Sequence, residues 1–532
     1  MKKFISFIMI FFMLSAGGCV EKKTEIKVYD SRTDKYIVYN MGKLPDDLVM
    51  LKDSKIRDKD LLVSLFEGLI KVDEFGNITP GIAEKWDIGK DNITYTFKLR
   101  ENAKWSDGKA ITAQDFVDFY KGILSPKQDN VYAYQLYYVF GAEEFRKSKK
   151  GFNGVAIRAV DDKTLEFRLN SPVSYFLEVL SQPIYSLRKI NTSLKTWKNN
   201  YKDIVYSGPF VITDVSETGE VTMEKNKFYY DKDEVKADKL YITSATESEK
   251  ALAEFVNNKI NLFINPPISE SASLVADGKA EAIPIESGSS INFNLKKSGI
   301  TNDVNFRKAI SSAISRQNLV QDDLNYVARS ASAYVPYDEE DKAQNKQEKH
   351  LLKEEADIAG AQKLLEESKY DKKEKIKLIY LDNNENKRLC EALYKEIKDN
   401  LNISIDYKGY NEVELKETIK KGDYHMMIIN YASLYDDPLS LLEAWSESSD
   451  LNLFGYNNSE YNKMIYEAKY EKDKTKRLSL LQNSEKILIN DMPTIPLYFH
   501  NILLCKNPNI KDVYVTKEGN IRLDRAYVDT MQ

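Results

Sequence analysis

Histidine and cysteine are scarce in this sequence, which has three of each among its 532 residues. The histidines stand far apart, at positions 350, 425 and 500, and neither a CxxC nor an HExxH motif occurs. A zinc site needs three or four such ligands held together, so we expect no metal and no other cofactor. GxSxG is absent too, which argues against a hydrolase, and we expect no enzyme activity.

The cysteines carry no disulfide framework. Cys390 and Cys505 are the two that lie beyond the N-terminal region, and two distant cysteines specify no pairing pattern. A disulfide between them stays open as an alternative. We expect instead that both are free and buried.

An excess of positive charge is also missing. Lysine and arginine number 77 against 82 acidic residues, a net charge of -5, so nucleic acid is not an expected partner. Hydrophobic residues make up 42% and charged residues 30%, which is typical of a soluble globular protein. A chain of this length exceeds one ordinary core, which predicts two or three domains.

The N-terminal apolar run is too short to cross a membrane, which takes about 20 residues. It spans Phe4 to Leu14, follows Lys2-Lys3 and precedes a small-residue stretch, so residues 1–18 are expected to be a signal peptide. The position of Cys19 resembles a bacterial lipobox, whose cysteine is lipidated and becomes the mature N-terminus. Two or more acyl chains would anchor the protein to a membrane through a tether at 19–25; ordinary secretory cleavage is the alternative.

The segment from Gly81 to Phe116 has the clearest local structure. Residues 94–100 alternate between polar and apolar, which predicts a half-buried strand. Asp107-Gly108 signals a turn. Thr112, with Asp115 three residues later, has the form of a capping box at the start of a helix.

The same segment closely resembles the signature of family five of the bacterial extracellular solute-binding proteins, the peptide- and nickel-binding receptors of ABC importers. Other family-like segments lie at 65–69, 207–210, 306–316 and 493–498, so the resemblance covers essentially the whole mature chain. The matching residues within the main segment include Trp86, Tyr95-Thr96-Phe97, Leu99-Arg100 and Trp105-Ser106-Asp107-Gly108.

The resemblance implies an α/β, two-lobed, periplasmic-binding-protein-like fold of type II with three domains, one of them an extra domain. Ligand would bind in a cleft between lobes that close by a hinge. The expected division gives residues 26–66, 190–286 and 496–532 to lobe I, 67–189 to the extra domain and 287–495 to lobe III.

The resemblance also places the ligand's N-terminus. Peptide-binding members carry a segment similar to Trp-x-x-Asp-Tyr-x-Asp-Pro, whose first aspartate binds the peptide ammonium. Here the segment is Tyr431-Ala432-Ser433-Leu434-Tyr435-Asp436-Asp437-Pro438, with Leu434 at the aspartate position. Such a charge-assisted bond is worth about 1.5–3 kcal/mol.

Three interpretations of this departure stay open. Asp436 or another acid supplies the charge, or the peptide sits in a different frame with its N-terminus bound by neutral groups, or the ligand has no free N-terminus. We favour the second. Asp437 is expected to cap a helix start rather than to contact ligand.

Further cleft positions follow approximately from the resemblance. Ser54, Lys55 and Ile56 correspond to an extended segment that pairs with the peptide main chain by strand addition. Neutral side chains at several positions suggest a weakly charged cleft. The side-chain candidates are Tyr132, Asn265, Asn292, Asn386, Tyr431, Ala432, Ser433, Leu434 and Asp436.

Together these features predict an extracytoplasmic, lipid-anchored, monomeric receptor that binds oligopeptides and delivers them to the permease of an ABC importer. A receptor for another solute, such as a nickel chelate or a modified peptide, is one alternative. A receptor for a signalling peptide would use the same fold, and the sequence does not separate the two.

Overall fold

The computed structural model describes residues 32–52, 56–324, 326–336, 351–371, 374–449 and 451–530. The expected signal peptide, Cys19 and the tether therefore lie outside the described residues, as do Ser54 and Lys55. Within the described ranges, none of the helices combines the length and the apolar character that a membrane crossing requires. Cys390 and Cys505 are both free and buried, as expected.

The half-buried strand predicted over residues 94–100 is present as β5 (Thr94–Leu99). The strands are β1 Ile37–Asn40, β2 Ile70–Val72, β3 Ile78–Pro80, β4 Ala83–Ile88, β5 Thr94–Leu99, β6 Ile157–Asp161, β7 Thr164–Arg168, β8 Phe210–Val215, β9 Val221–Lys225, β10 Lys239–Thr243, β11 Leu262–Ile264, β12 Ala280–Phe293, β13 Ala328–Ser330, β14 Ile376–Leu381, β15 Ile405–Tyr410, β16 Met426–Ala432, β17 Thr494–Lys506, β18 Ile510–Lys511, β19 Tyr514–Val515, β20 Ile521–Arg522 and β21 Tyr527–Val528.

The helices carry side-chain caps at several of their starts. Asn383, for example, accepts a hydrogen bond from Asn386 N at the start of the helix that follows β14. The α-helices are α1 Asp58–Leu65, α2 Ala113–Leu124, α3 Ala142–Arg146, α4 Phe176–Ser181, α5 Thr192–Lys195, α6 Trp197–Asn200, α7 Ser248–Val256, α8 Ile268–Ala276, α9 Val304–Ser312, α10 Arg316–Asn318, α11 Ile358–Glu367, α12 Asn384–Leu401, α13 Glu412–Lys421, α14 Leu439–Leu442, α15 Ser459–Tyr470 and α16 Lys474–Asp491.

Two long strands join the halves of one large mixed sheet. Within the described residues this sheet has the order β15-β14-β16-β12-β17-β11-β1-β10-β9-β8, with β13 also paired to β17. Residues 280–284 of β12 pair with 501–505 of β17, beside β11, and residues 288–292 pair with 494–499, beside β16. The pairing shifts register between Pro284 and Gly288. Strands β12 and β17 therefore cross from one half of the sheet to the other.

The segment from Gly81 to Phe116 forms scaffold away from this crossing. Strand β5 alternates buried and half-buried residues in a four-stranded antiparallel sheet of order β4-β5-β7-β6. The predicted capping box is confirmed, since Thr112 N donates to Asp115 Oδ2 at 2.9 Å and Asp115 N donates to Thr112 Oγ1 at 3.3 Å. Helix α2 packs on this sheet through Tyr120, whose ring meets Phe167 edge-on at 5.1 Å. The exact division of the chain into domains stays a prediction.

Candidate functional site

A cavity of about 630 Å³ opens where β12 and β17 cross between the two halves of the large sheet. We call it the cleft. One wall consists of the start of α1 and the segment after β11, the other contains β13 and the start of α12, and the crossing strands form the floor. Its volume is in the range that binds small ligands. Its polar and charged lining includes Arg57, Asn265, Glu385, Arg388, Asn430 and His500.

His500 on the floor is held between two serines. Its Nδ1 lies 2.8 Å from Ser287 Oγ and its Nε2 lies 2.9 Å from Ser289 Oγ. Ser289 donates its own hydroxyl hydrogen to Asn430 Oδ1 at 2.7 Å. Ser287 in turn donates its hydroxyl hydrogen to Tyr431 O at 2.8 Å, so one ring nitrogen of the neutral imidazole donates to its serine and the other faces a serine oxygen without a hydrogen to accept. Burial, with Arg329 as a second cause, lowers the pKa of His500 to about 4.

This serine–histidine contact is not arranged for nucleophilic catalysis. A catalytic histidine uses one nitrogen for the nucleophile and the other for a group that orients it. Serines occupy both nitrogens of His500, which leaves none for an orienting carboxylate. A base with a pKa of about 4 is also weak at neutral pH. The contact holds the cleft floor together and presents a neutral, polar surface.

Charged groups of both signs line the cleft above this floor. Arg57 extends from the segment before α1, and its side chain is 17% exposed. Glu385 and Arg388 belong to the first turns of α12 and are exposed at the mouth. Glu249, near the start of α7, adds a second acid. The cleft is thus more charged than the sequence suggests.

The structure brings two of the described candidates to the cleft, Ile56 and Asn265. Ile56 O accepts a hydrogen bond from Asn520 Nδ2 at 3.0 Å. Asn265 adopts a left-handed conformation with φ of +50°, which asparagine tolerates better than most residues. Its Oδ1 accepts from Leu503 N at 3.1 Å, so the side chain fixes the point where the chain leaves β11.

Three other candidates lie away from the cleft lining. Tyr132 is buried, and its carbonyl accepts from the Tyr185 hydroxyl at 3.3 Å. Asn292 is buried within β12, where its Oδ1 accepts from Ser290 Oγ at 3.1 Å. Asn386 is buried and donates from Nδ2 to Leu381 O at 2.9 Å. The Tyr132 carbonyl and the Asn292 and Asn386 side chains thus form hydrogen bonds within the protein.

Residues 431–436 lie outside the cleft lining and pack against other parts of the protein. The Tyr431 ring stacks on Tyr334 with centroids 4.6 Å apart, and its hydroxyl donates to Tyr334 O at 2.8 Å. Ala432 pairs with Ser287 through the backbone. Ser433 is buried and donates to Tyr435 O at 2.6 Å.

Leu434 lines a separate small cavity of about 30 Å³. Glu67, Glu518 and Arg522 line the same cavity together with apolar side chains such as Phe66. Its volume is close to that of a single water molecule. The position at which the family places an ammonium-binding aspartate therefore faces this small cavity and not the cleft.

Asp436 already has a counter-ion. Lys517 Nζ lies 3.1 Å from Asp436 Oδ2, and both side chains are 28% exposed. Burial raises the pKa of Glu286 well above its usual range, and the neighbouring Asp436 and Glu518 carboxylates raise it further. Glu286 is thus kept protonated beside Asp436, and Lys517 balances the charge that remains.

Most residues that define the cleft were not predicted from the sequence, namely Arg57, Glu385, Arg388, Asn430 and His500. Helical spacing offers a signal for part of this set, because Asn384 and Arg388 are four residues apart and share a face. Both line the cleft, whereas Asn386 lies between them in sequence and turns inward. For His500, scarcity of histidine was the only available signal.

Comparison with known proteins identifies the class. The family model for bacterial extracellular solute-binding proteins, family 5 Middle, matches residues 77–452. The chain is 32% identical over 479 residues to the oligopeptide-binding protein OppA of Bacillus subtilis (strain 168), with 87% of each chain covered. It is 31% identical over 475 residues to the dipeptide-binding protein DppE of the same organism, again with 87% of each covered.

Solved structures agree with this result. A periplasmic oligopeptide-binding protein from Borrelia burgdorferi is 26% identical, with a TM-score of 0.78 over 92% of this chain and 99% of that one. The chain therefore belongs to family 5 of the bacterial extracellular solute-binding proteins. The predicted family and the predicted two-lobed α/β fold are confirmed. Members of the family are binding proteins of the extracellular or periplasmic space.

Proposed function

We propose that this protein binds oligopeptides in the cleft and delivers them to the permease of an ABC importer. The observation that carries the proposal is the cleft lining, which combines cations, acids and carboxamides in about 630 Å³. A short peptide is a zwitterion with repeating amide groups, so it requires all three kinds of partner. The names of the relatives, which are oligopeptide- and dipeptide-binding proteins, support the same function.

Mass spectrometry of small molecules released from the purified protein by mild denaturation tests this proposal. Short peptides of mixed sequence are the expected result. Recovery of a single metal chelate or a sugar in their place would overturn it. A single peptide sequence would instead favour the signalling-receptor alternative.

The peptide frame is proposed to differ from the usual one, with the N-terminus bound by neutral groups of the cleft. Leu434 supports this proposal, since it faces a small cavity already lined by Glu67 and Glu518. A receptor for a nickel chelate or a modified peptide is the second candidate. The missing carboxylate at position 434 favours it, because such ligands have no free ammonium to bind.

Leu434→Asp is expected to leave peptide affinity within about twofold of the wild type while lowering the unfolding free energy by about 1–3 kcal/mol. The new carboxylate would enter a small cavity whose two acids, Glu67 and Glu518, are accompanied by Lys71 and Arg522, so the cost of burying its charge opposes it. Calorimetric titration with free-N-terminus peptides and urea unfolding measure the two effects.

Leu434→Asn is the matched control, since it has the shape of aspartate without the charge. It is expected to bind peptide as the wild type does and to be destabilised less than Leu434→Asp. Affinity at least tenfold tighter in the aspartate variant alone would show that the ammonium does reach position 434, and the proposed frame would be wrong.

Membrane attachment through Cys19 is proposed from the sequence alone, together with a monomeric state. A Cys19→Ser variant is expected to appear in the soluble extracytoplasmic fraction, because without acyl chains nothing replaces their membrane affinity. Fractionation of cells followed by immunoblotting measures this. A Ser15→Ala variant is the control and is expected to remain with the membrane; equal distribution of both variants would contradict the anchor.

A further inference from the structure

One acid in the cleft has no cation among the protein's own described residues. Glu385 lines the cleft from the first turn of α12, and its side chain is exposed. It forms no ion pair with any residue that the structure describes. Arg388, three positions further along the same helix, also lines the cleft without pairing with Glu385. The Glu385 carboxylate is therefore open to a ligand and has no counter-ion in the described parts of the chain.

The walls of the cleft reduce the hydration of this carboxylate. Burial raises the pKa of Glu385, and the Tyr498 hydroxyl on the cleft floor lowers it in part. Solvent still reaches the side chain at the mouth of the cleft. An acid that is partly dehydrated and unpaired gains more from a ligand cation than a fully hydrated surface acid does.

The accessible charges of the cleft are negative on balance. Arg57 is paired with Asp60 at 3.0 Å, and its side chain is only 17% exposed, so it is not available to a ligand. The pKa of His500 is about 4, so its ring is neutral at neutral pH. The charged lining residues that remain are exposed and comprise two acids and one base, namely Glu249, Glu385 and Arg388. This balance favours a ligand that carries a positive charge.

A structural role at the start of α12 is the alternative for Glu385. An acid in the first turn of a helix interacts favourably with the helix dipole. The side chain of Asn383 already caps this helix by accepting from Asn386 N at 2.8 Å. The two roles differ in what removal of the carboxylate changes. Loss of a helix contact lowers stability, whereas loss of a ligand contact changes the preference among ligands.

We infer that Glu385 binds a cationic group of the ligand in the cleft and thereby determines a preference for positively charged peptides. This inference rests on the proposed peptide-binding function and adds to it a specificity-determining residue. A peptide offers two kinds of cation, its α-ammonium and a basic side chain, and a carboxylate binds either through a charge-assisted hydrogen bond. The proposed frame, in which neutral groups hold the N-terminus, makes a basic side chain the expected source.

Glu249 provides a matched control in the same cleft. It is also an exposed lining acid, but it lies on α7 and already accepts from Ser248 Oγ at 3.1 Å. Glu249→Gln and Glu385→Gln remove the same charge from the cleft. A long-range effect of net charge would therefore change equally in both variants, whereas a direct contact depends on Glu385 alone.

Calorimetric titration with tetra-alanine peptides, in which each position in turn carries lysine or Nε-acetyllysine, tests the inference. We expect wild type to bind the lysine form about 5- to 30-fold more tightly at one position, which is between the effects of an exposed and a buried charge pair. Glu385→Gln is expected to abolish this preference while changing acetyllysine affinity by less than about threefold. Glu385→Asp keeps the charge on a shorter side chain and should retain part of the preference, and Glu249→Gln should retain it.

A second peptide pair identifies the source of the cation. Tetra-alanine with a free N-terminus and tetra-alanine with an acetylated N-terminus differ only in the α-ammonium. A preference for the free form that Glu385→Gln removes would support the inference with the N-terminus as the bound cation, and the proposed neutral frame would then be wrong.

Equal wild-type affinity for charged and neutral forms in both peptide sets would overturn the inference without requiring any variant to fold. Equal weakening of the lysine and acetyllysine forms by Glu385→Gln would also overturn it and would give Glu385 a structural role. Equal loss of the preference in Glu249→Gln would overturn it in favour of net charge. Failure of wild type to bind any of these peptides is distinguishable from all three results, because it contradicts the proposed function and this inference with it.

Discussion

Asp437→Ala is expected to lower the free energy of unfolding by about 3–5 kcal/mol. Arg477 donates to both carboxylate oxygens of Asp437, at 2.6 and 3.0 Å, and the two side chains are only 9% and 11% exposed. Removing Asp437 leaves the guanidinium buried without its counter-ion, which costs much more than the pair contributes. Asp437 Oδ1 also accepts from Leu439 N at 2.9 Å, so the first residue of α14 loses that hydrogen bond as well.

Urea unfolding measures the total loss, and hydrogen exchange of peptides that contain 431–442 and 470–480 shows whether it is local. Glu143→Ala is the matched control, because its partner Lys147 lies in an exposed pair, 47% and 51% exposed. That variant is expected to cost less than about 0.5 kcal/mol. Equal losses in the two variants would contradict the argument from burial.

A double variant separates the buried charge from the lost contact. Asp437→Leu with Arg477→Met is expected to recover at least half of the stability that Asp437→Ala loses, because no unpaired charge remains. The recovery will be incomplete, since the Arg477 guanidinium also lies 4.7 Å from the Tyr175 ring centroid and donates from Nε to Ala468 O at 2.9 Å.

Local chemistry is what made parts of the fold predictable from sequence. The capping box at Thr112 and the alternation in β5 depend on residues within a few positions of one another, so the pattern contains the whole cause. Asp437 belongs to the same group: a turn before an apolar helix predicts that it serves the helix start, and its carboxylate accepts from Leu439 N, while Pro438 is the N-cap residue. Its pairing with Arg477 was not predictable, because the two residues are 40 positions apart.

The cleft could not be assembled from sequence for the same reason. His500 contacts Ser287, 213 positions earlier, only because β12 and β17 pair across the sheet. Alternate residues of β12 lie on opposite faces of the sheet. Ser287 and Ser289 lie on the face that contacts His500, whereas the predicted Asn292 lies on the opposite face with Ser290. A local pattern gives the alternation of a strand but does not say which face meets a ligand.

The burial of Arg57 is not predictable from the sequence for a different reason. An arginine before a short helix ordinarily indicates a solvated surface. Its burial follows from α1 packing beneath the C-terminal residues, where Ile521 N donates to Asp60 across 461 positions. The family resemblance places the neighbouring residues 54–56 at the cleft but does not extend to residue 57.

The buried histidine on the cleft floor should make stability depend on pH. The pKa of His500 is lowered from 6.5 to about 4, mainly by burial. Because the folded value lies below the unfolded one, the contribution of the neutral ring is fully present above pH 6.5 and is lost as the pH falls toward 4. At 1.36 kcal/mol per unit, this shift corresponds to about 3 kcal/mol.

His500→Gln is expected to remove that dependence, because glutamine does not titrate and its amide still offers N–H donors to the serine oxygens. Relative to the wild type, the unfolding free energy of this variant should therefore rise by about 3 kcal/mol as the pH falls from 7 to 4.

The pH dependence of the wild type alone does not isolate the contribution of His500. Burial raises the pKa of Asp60 to about 6 and of Glu178 to about 7, and such acids stabilise the fold as the pH falls. Urea unfolding gives the unfolding free energy of each protein at each pH, and the difference between wild type and variant cancels the contributions of those acids. A difference that stays constant from pH 7 to pH 4 would show that His500 does not titrate as its surroundings require.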